Sequence, residues 1–150
     1  NMTNTINQLK IYNRIYKEMD IVYHNYAKKC GLSDTEFWIL YSMTEEGGLF
    51  TQRDFCVSWS FAPQTVNSAL KDLEKQGIIY LEPVPGNKKN KWIKLSEKGT
   101  ELVGKAILPL IKSECESFEA ISKEECDAML SSMQKYTSDL KGRIAGLEIL

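Results

Sequence analysis

The 150-residue chain is 43% hydrophobic and 26% charged, which is ordinary for one globular domain. No apolar run approaches the roughly 18 residues that a membrane span needs, and no secretory signal pattern is present at the start. The net charge of −1 does not by itself indicate a nucleic-acid partner. The sequence therefore predicts a single domain over residues 1–150, a cytoplasmic location and no membrane partner.

Residue types that catalyse reactions or bind metals are few and scattered. The four cysteines form no C-x-x-C pair, and His24 is the only histidine that could join them. Glycine-rich phosphate-binding motifs and the G-x-S-x-G nucleophile motif are absent. We therefore expect no cofactor, no metal and no enzymatic activity.

Charge is distributed unevenly along the chain. Residues 51–98 carry eight basic and five acidic side chains, a net charge of +3, and the remainder carries −4. A basic middle segment between acidic ends is typical of a nucleic-acid-binding module on a scaffold that does not itself bind.

The chain begins with a predicted helix that ends at Gly31. Its apolar residues recur at alternating three- and four-residue steps, and Ile11, Ile15 and Val22 widen the stripe. A face this broad on a terminal helix favours contact with a second chain. The recurring residues are Leu9, Tyr12, Tyr16, Met19, Tyr23 and Tyr26.

Two short helices follow, and each has its own start signal. Ser33 can cap the first, with Glu36 completing a capping box, and Gly47 ends it. Thr51 caps the second, which is predicted to end before Trp59.

A fourth helix and a hairpin come next. The helix opens at Pro63, because proline suits the first helical position, and closes at Gly77. Residues 78–82 are predicted as a strand, 83–90 as a polar turn and 91–95 as a returning strand. This order of elements predicts a winged helix-turn-helix over about residues 33–96.

Two further helices complete the chain. Ser96 is the predicted cap of a long helix that reaches about Ala120 and contains Pro109, where we expect a kink. Ser122 and Glu125 form a predicted capping box for the last helix. The fold class is therefore mainly α with a small β-hairpin (α+β).

The polar face of the fourth helix has the chemistry to read bases. Asparagine and glutamine can pair with adenine, serine and threonine can bond base edges or phosphate, and lysine can contact guanine or phosphate. Any solvated helix also exposes polar residues, so this face alone does not decide the function. The candidate DNA-binding residues are Gln64, Thr65, Asn67, Ser68 and Lys71.

The predicted hairpin adds three lysines, Lys88, Lys89 and Lys91, in a polar segment where burial cannot explain them. A hairpin that crosses a phosphate backbone would use such cations to neutralise phosphates. Directly after a helix with a base-reading face, this pattern favours binding of double-stranded DNA.

Two motifs carry a resemblance to a known family. The run from Ala62 to Ile79, with its Leu-Glu-x-x-Gly-Ile ending, and the Leu-Ser-x-x-Gly segment after the hairpin resemble MarR-type regulators. The resemblance extends over nearly the whole chain. It implies a triangular homodimer whose N- and C-terminal helices, about residues 5–30 and 97–150, form a dimerisation domain. It also implies two winged modules that bind a pseudo-palindromic operator.

The hairpin departs from the family pattern. MarR-type wings commonly carry acidic residues and arginines in an Asp-x-Arg pattern, and this chain has lysines instead. Lysine contacts phosphate as a point charge without the planar fork of arginine. For Lys88, Lys89 and Lys91 we therefore expect contacts with the DNA backbone only.

The resemblance also implies a repressor that a small-molecule effector relieves. Aromatic residues of the first two helices would line a pocket for a small aromatic or apolar acid, although such residues are more often part of a core or a dimer interface. These residues are Tyr12, Tyr16, Tyr23, Trp38 and Tyr41.

Two alternatives remain open. A thiol sensor would use Cys30, next to Lys28 and Lys29, although the C-terminal end of a helix disfavours a thiolate. A winged helix can instead bind proteins, in which case binding would depend little on salt.

Overall fold

The computed structural model describes residues 1–150 and contains six helices and one two-stranded antiparallel hairpin. The predicted class, mainly α with a small hairpin, is confirmed. None of the helices combines the length and the apolar composition required to cross a membrane. The chain divides into two compact units, residues 1–108 and 109–150. In chain order the elements are α1 (Met2–Lys29), α2 (Asp34–Glu46), α3 (Gln52–Trp59), α4 (Pro63–Lys75), β1 (Ile79–Val84), β2 (Asn87–Leu95), α5 (Glu97–Glu119) and α6 (Lys123–Ala145).

Both α2 and α3 begin with capping boxes. The Ser33 hydroxyl accepts from the Glu36 N–H at 3.2 Å, and the Glu36 carboxylate accepts from the Ser33 N–H at 3.1 Å. Thr51 and Asp54 form the same reciprocal pair at 3.1 and 2.9 Å. Each box satisfies two N–H groups that would otherwise lack partners, so local sequence sets both helix starts.

Two helix ends differ from the prediction. α3 includes Trp59, because Ser60 adopts a left-handed conformation with φ of 56° and its N–H bonds to the Cys56 carbonyl at 3.0 Å. At α6 the capping box is half formed. Ser122 accepts from the Glu125 N–H at 3.1 Å, but its hydroxyl donates to the Glu125 carboxylate at 3.1 Å in place of the backbone bond.

The hairpin is longer than predicted. β1 runs to Val84 and β2 begins at Asn87, so only Pro85 and Gly86 form the turn. The prediction of a turn over residues 83–90 was therefore wrong. Its polar composition was misleading because strand pairing uses backbone groups, and an exposed hairpin needs no apolar side chains along its length.

The first unit has one hydrophobic core, formed largely by α2, α3, α4 and the base of the hairpin. β2 is tied to this core, because the Ile93 N–H donates to the Phe50 carbonyl at 2.7 Å and Thr51 pairs with Trp92 as an isolated bridge. The hairpin is thus anchored at the residue that caps α3. The largest fully buried side chains are Phe37, Ile39, Leu40, Phe55, Val66, Leu73 and Ile107.

The apolar stripes of α1 and α6 face solvent in the single chain. α1 buries only Ala27, and α6 buries no residue. On α6 the residues Met129, Leu130, Met133, Tyr136, Leu140 and Ile144 are 37–56% exposed. An apolar face of this length on a helix without a buried residue is unusual for a chain that functions alone.

α5 begins in close contact with the chain that leaves α4. A Cβ atom built on Gly99 would lie 2.0 Å from the Ile78 carbonyl oxygen. Ser96 joins the same two segments, since its hydroxyl donates to the Gly77 carbonyl at 2.5 Å and accepts from the Gly99 N–H at 3.0 Å. The Leu-Ser-x-x-Gly segment therefore has a packing explanation: the serine caps the helix and the glycine permits close backbone approach.

We expect Gly99→Ala to lower the free energy of unfolding by about 1–3 kcal/mol, because the methyl group overlaps a backbone carbonyl that cannot rotate away. Gly104→Ala is the control in the same helix, since its Cβ would meet no atom within 4 Å. That substitution should stabilise by about 0.5–1 kcal/mol. Urea unfolding followed by circular dichroism at one protein concentration measures both, and equal effects would contradict the explanation.

Candidate nucleic-acid interface

α4 buries one side and exposes the other. Val66, Ala69, Leu70 and Leu73 recur at helical spacing and are buried. All five polar residues predicted for this helix lie on its exposed side, which leaves their side chains accessible to a ligand. They are Gln64, Thr65, Asn67, Ser68 and Lys71.

A buried carboxylate holds the C-terminal end of α4. Glu36 is only 6% exposed, and while one of its oxygens completes the capping box, the other accepts from the Gln76 Nε2 atom at 3.2 Å. The Lys98 ammonium group donates to the Gln76 carbonyl at 2.8 Å. Gln76 is the C-cap of α4, so these bonds fix the end of the helix against α2 and α5. Residue spacing along the chain does not reveal this link.

A second polar link joins α3 to the exposed face of α4. The Gln52 Nε2 atom donates to the Asn67 Oδ1 atom. Phe61, in the turn between the two helices, stacks on Phe55 with ring centroids 5.4 Å apart. Gln52 was not among the predicted site residues, because its only signal in the sequence is its position at the start of α3.

The outer end of the hairpin forms a bulge. Regular pairing stops after Pro83, and residues 88–90 of β2 have no partner on β1. The Asn87 Oδ1 atom accepts from the N–H groups of Lys89 and Asn90 at 3.1 and 3.2 Å. The lysine-bearing backbone is therefore held by a side chain and not by the ladder alone.

The cations of this segment divide into engaged and available groups. Lys94 pairs with Glu82 at 2.8 Å, and hydrogen bonding to that carboxylate raises the pKa of Lys94. The ammonium groups of Lys88, Lys89 and Lys91 are exposed and form no ion pair within the chain. These three charges are consequently available to an anionic partner.

Three of the five predicted pocket residues lie in one aromatic cluster. The Trp38 ring centroid is 5.0 Å from that of Tyr23 and 5.2 Å from that of Tyr41. Trp59 extends the cluster at 4.7 Å from Trp38, and its Nε1 atom donates to the buried Ser42 hydroxyl at 2.6 Å. The structure thus brings α1, α2 and α3 together around Trp38.

The other two predicted pocket residues lie further toward the start of α1. Tyr12 and Tyr16 stack on each other with ring centroids 6.5 Å apart and are 40% and 60% exposed. They belong to the solvent-facing stripe of α1, which sets them apart from the half-buried Trp38 cluster.

Cys30 lies beside Tyr26 where α1 ends. The Tyr26 hydroxyl donates to the Ala106 carbonyl at 2.6 Å and so links α1 to α5. Burial raises the pKa of Tyr26, and the charge and hydrogen bonding of Cys30 raise it further. The role of Cys30 as a sensor stays a prediction.

Comparison with known proteins agrees with this geometry. Residues 31–89 match the sequence model of the MarR family, whereas no curated protein matches the chain. The chain is similar to the MarR family regulator NMB1585 from Neisseria meningitidis, at 19% identity and a TM-score of 0.76, over 92% of this chain and 96% of that one.

Two other solved structures are informative. MepR from S. aureus in complex with DNA is 22% identical with a TM-score of 0.69, over 87% of this chain and 96% of that one. The organohalide-sensing regulator RdhR-CbdbA1625 in its 2,4-dichlorophenol-bound form is 21% identical with a TM-score of 0.64, over 88% and 80%. At these identities the similarity establishes the fold, and the predicted resemblance to MarR-type winged helices is confirmed.

We expect Glu36→Gln to lower the free energy of unfolding by about 1–3 kcal/mol. A carboxamide has one acceptor oxygen, so its NH2 group would face either the Ser33 N–H or the Gln76 Nε2 atom, and both of these are donors. Glu45→Gln, exposed on the same helix, should change it by less than about 0.5 kcal/mol. Urea unfolding measures both. A Glu36→Gln variant as stable as this control would contradict the link to Gln76.

Proposed function

From a winged-helix segment that matches the MarR family, we propose that this chain is a transcription regulator that binds double-stranded DNA as a homodimer. α4 enters the major groove, and the hairpin contacts the phosphate backbone. The supporting observation is that an exposed face of amides and hydroxyls on α4 occurs together with three exposed lysines that have no partner within the chain. We also propose that the protein has no enzymatic activity.

The residues of α4 take separate roles in this proposal. Gln64 and Asn67 contact base edges, whereas Thr65, Ser68 and Lys71 contact bases or flanking phosphates. No side chain caps the start of α4, because Ala62 occupies the cap position. The N–H groups of the first turn are therefore suited to a phosphate.

The solvent-facing stripes of α1 and α6 support the dimer. Burying them against a second copy removes apolar surface from water that the single chain leaves exposed. A two-fold symmetric dimer places its two α4 helices in successive major grooves, about 34–36 Å apart. A pseudo-palindromic operator follows from that symmetry.

We also propose that the protein represses transcription and that a small aromatic or apolar molecule relieves this repression. The Trp38 cluster joins α1 to the winged helix, so a ligand that displaced one of its rings would shift α3 relative to α1. The dichlorophenol bound to the similar regulator RdhR-CbdbA1625 supports an effector of this chemical class.

Replacing Lys88, Lys89 and Lys91 together by alanine should weaken binding to all duplexes alike and flatten its salt dependence. In a plot of the logarithm of the binding constant against the logarithm of the salt concentration, each phosphate contact contributes about 0.9 to the slope. Losing three contacts should therefore reduce the slope by about 2–3. Fluorescence anisotropy at several salt concentrations, with duplex from upstream of the gene, measures both quantities.

The matched control replaces Lys28, Lys29 and Lys105, which removes the same charge from α1 and α5. It should leave the slope nearly unchanged. Equal flattening in the two triple variants would contradict a contact between the hairpin and the DNA backbone. Binding that is insensitive to salt would favour the protein-docking alternative.

Leu130→Glu combined with Met133→Glu should convert the dimer to monomer, because two carboxylates on the apolar stripe cannot be buried without partners. Ser131→Glu combined with Ser138→Glu adds the same charge to α6 outside that stripe and should leave the dimer intact. Sedimentation velocity reports the mass. A wild-type monomer, or dissociation in both variants, would contradict the α6 interface.

A further inference from the structure

We propose that Gln52, which lies outside α4, determines the base that Asn67 prefers by fixing the orientation of the Asn67 carboxamide. The inference rests on the proposed DNA-binding function. It assigns a specificity-determining role to a residue at the start of α3.

Gln52 is well placed to hold another side chain. It is half-buried and is the first residue of α3, directly after the Thr51 cap. Thr51 is itself fixed twice, by its capping box with Asp54 and by its bridge to Trp92 on the hairpin. The base of the Gln52 side chain therefore belongs to a rigid junction of helix and sheet.

The bond between the two amides gives the Asn67 side chain a direction. A carboxamide has one acceptor atom and one donor group, and these point in different directions. The Gln52 Nε2 atom donates to the Asn67 Oδ1 atom, so the acceptor of Asn67 is turned toward α3. The NH2 group of Asn67 is the end that remains for a ligand on the exposed face of α4.

This orientation changes the expected base. An asparagine that is free to turn pairs with adenine by accepting from N6 and donating to N7. With Oδ1 already engaged, Asn67 acts as a donor, and guanine offers it two acceptors, N7 and O6. We therefore expect guanine to be favoured over adenine at the position that Asn67 contacts.

Gln52→Glu reverses the arrangement without removing the contact. A carboxylate only accepts, so Asn67 must turn its NH2 group toward α3 and present Oδ1 outward. Bases with an amino group in the major groove, cytosine and adenine, then become the better partners. A glutamate in the first turn of α3 suits the helix dipole, so the fold should persist, and thermal unfolding checks this.

The test compares base preference and not affinity, because an added negative charge near DNA weakens every duplex alike. Wild-type protein and the Gln52→Glu variant are each used to select duplexes from a randomised library. Dissociation constants are then measured for four duplexes that differ only at the position where Asn67→Ala abolishes preference. The matched background is Asn67→Ala, in which Gln52→Glu should lower affinity without changing base preference.

We expect the ratio of guanine to cytosine or adenine binding to change by about tenfold or more between wild type and Gln52→Glu, and not to change in the Asn67→Ala background. An unchanged ratio, or the same change in both backgrounds, would overturn the role of Gln52 while leaving DNA binding intact. A wild-type protein that binds no duplex at all would instead refute the proposed function, and this inference with it.

Discussion

The backbone contact between α5 and the chain that leaves α4 is the constraint on which the winged-helix unit depends. Here the Gly99 backbone lies against the Ile78 carbonyl, and the Ile78 N–H returns to the Leu73 carbonyl of α4 at 2.9 Å. The Ser96 N–H, just after β2, donates to the same Ile78 carbonyl at 3.0 Å. The end of α4, both ends of the hairpin and the start of α5 therefore share one anchor of short backbone bonds.

Around this anchor the orientation of α4 is set by polar bonds as well as by the core. Glu36 accepts from Gln76 at the C-terminal end of α4, and Gln52 donates to Asn67 on its exposed face. The indole N–H of Trp59 donates to the Ser42 hydroxyl and so orients α3, which precedes α4, against α2. No buried side-chain nitrogen or oxygen lacks a hydrogen-bond partner. Since unpaired buried polar groups are costly, such satisfied bonds favour one arrangement of the helices over others that pack equally well.

The proposed roles of α6 in dimerisation and of the hairpin in DNA binding follow from which apolar and charged side chains remain exposed. α6 presents a complete apolar stripe without a buried residue, whereas the outer end of the hairpin presents cations without partners. The first surface suits a second copy of the chain and the second suits a polyanion. A net charge of −1 conceals this separation, because residues 51–98 carry a net charge of +3 and the remainder of the chain carries −4.

Local sequence alone determined the order of elements, the caps at Ser33 and Thr51, the glycine that follows α4 and the buried stripe of α4. These depend on residues within a turn or two of one another, so spacing reveals them. It did not determine the length of the hairpin, because an exposed hairpin can extend without any apolar pattern in its side chains. The links from Glu36 to Gln76 and from Gln52 to Asn67 were decided only by the tertiary structure. Each joins polar residues of different elements, and no periodicity in the chain records which distant side chains the packed core brings within hydrogen-bonding distance.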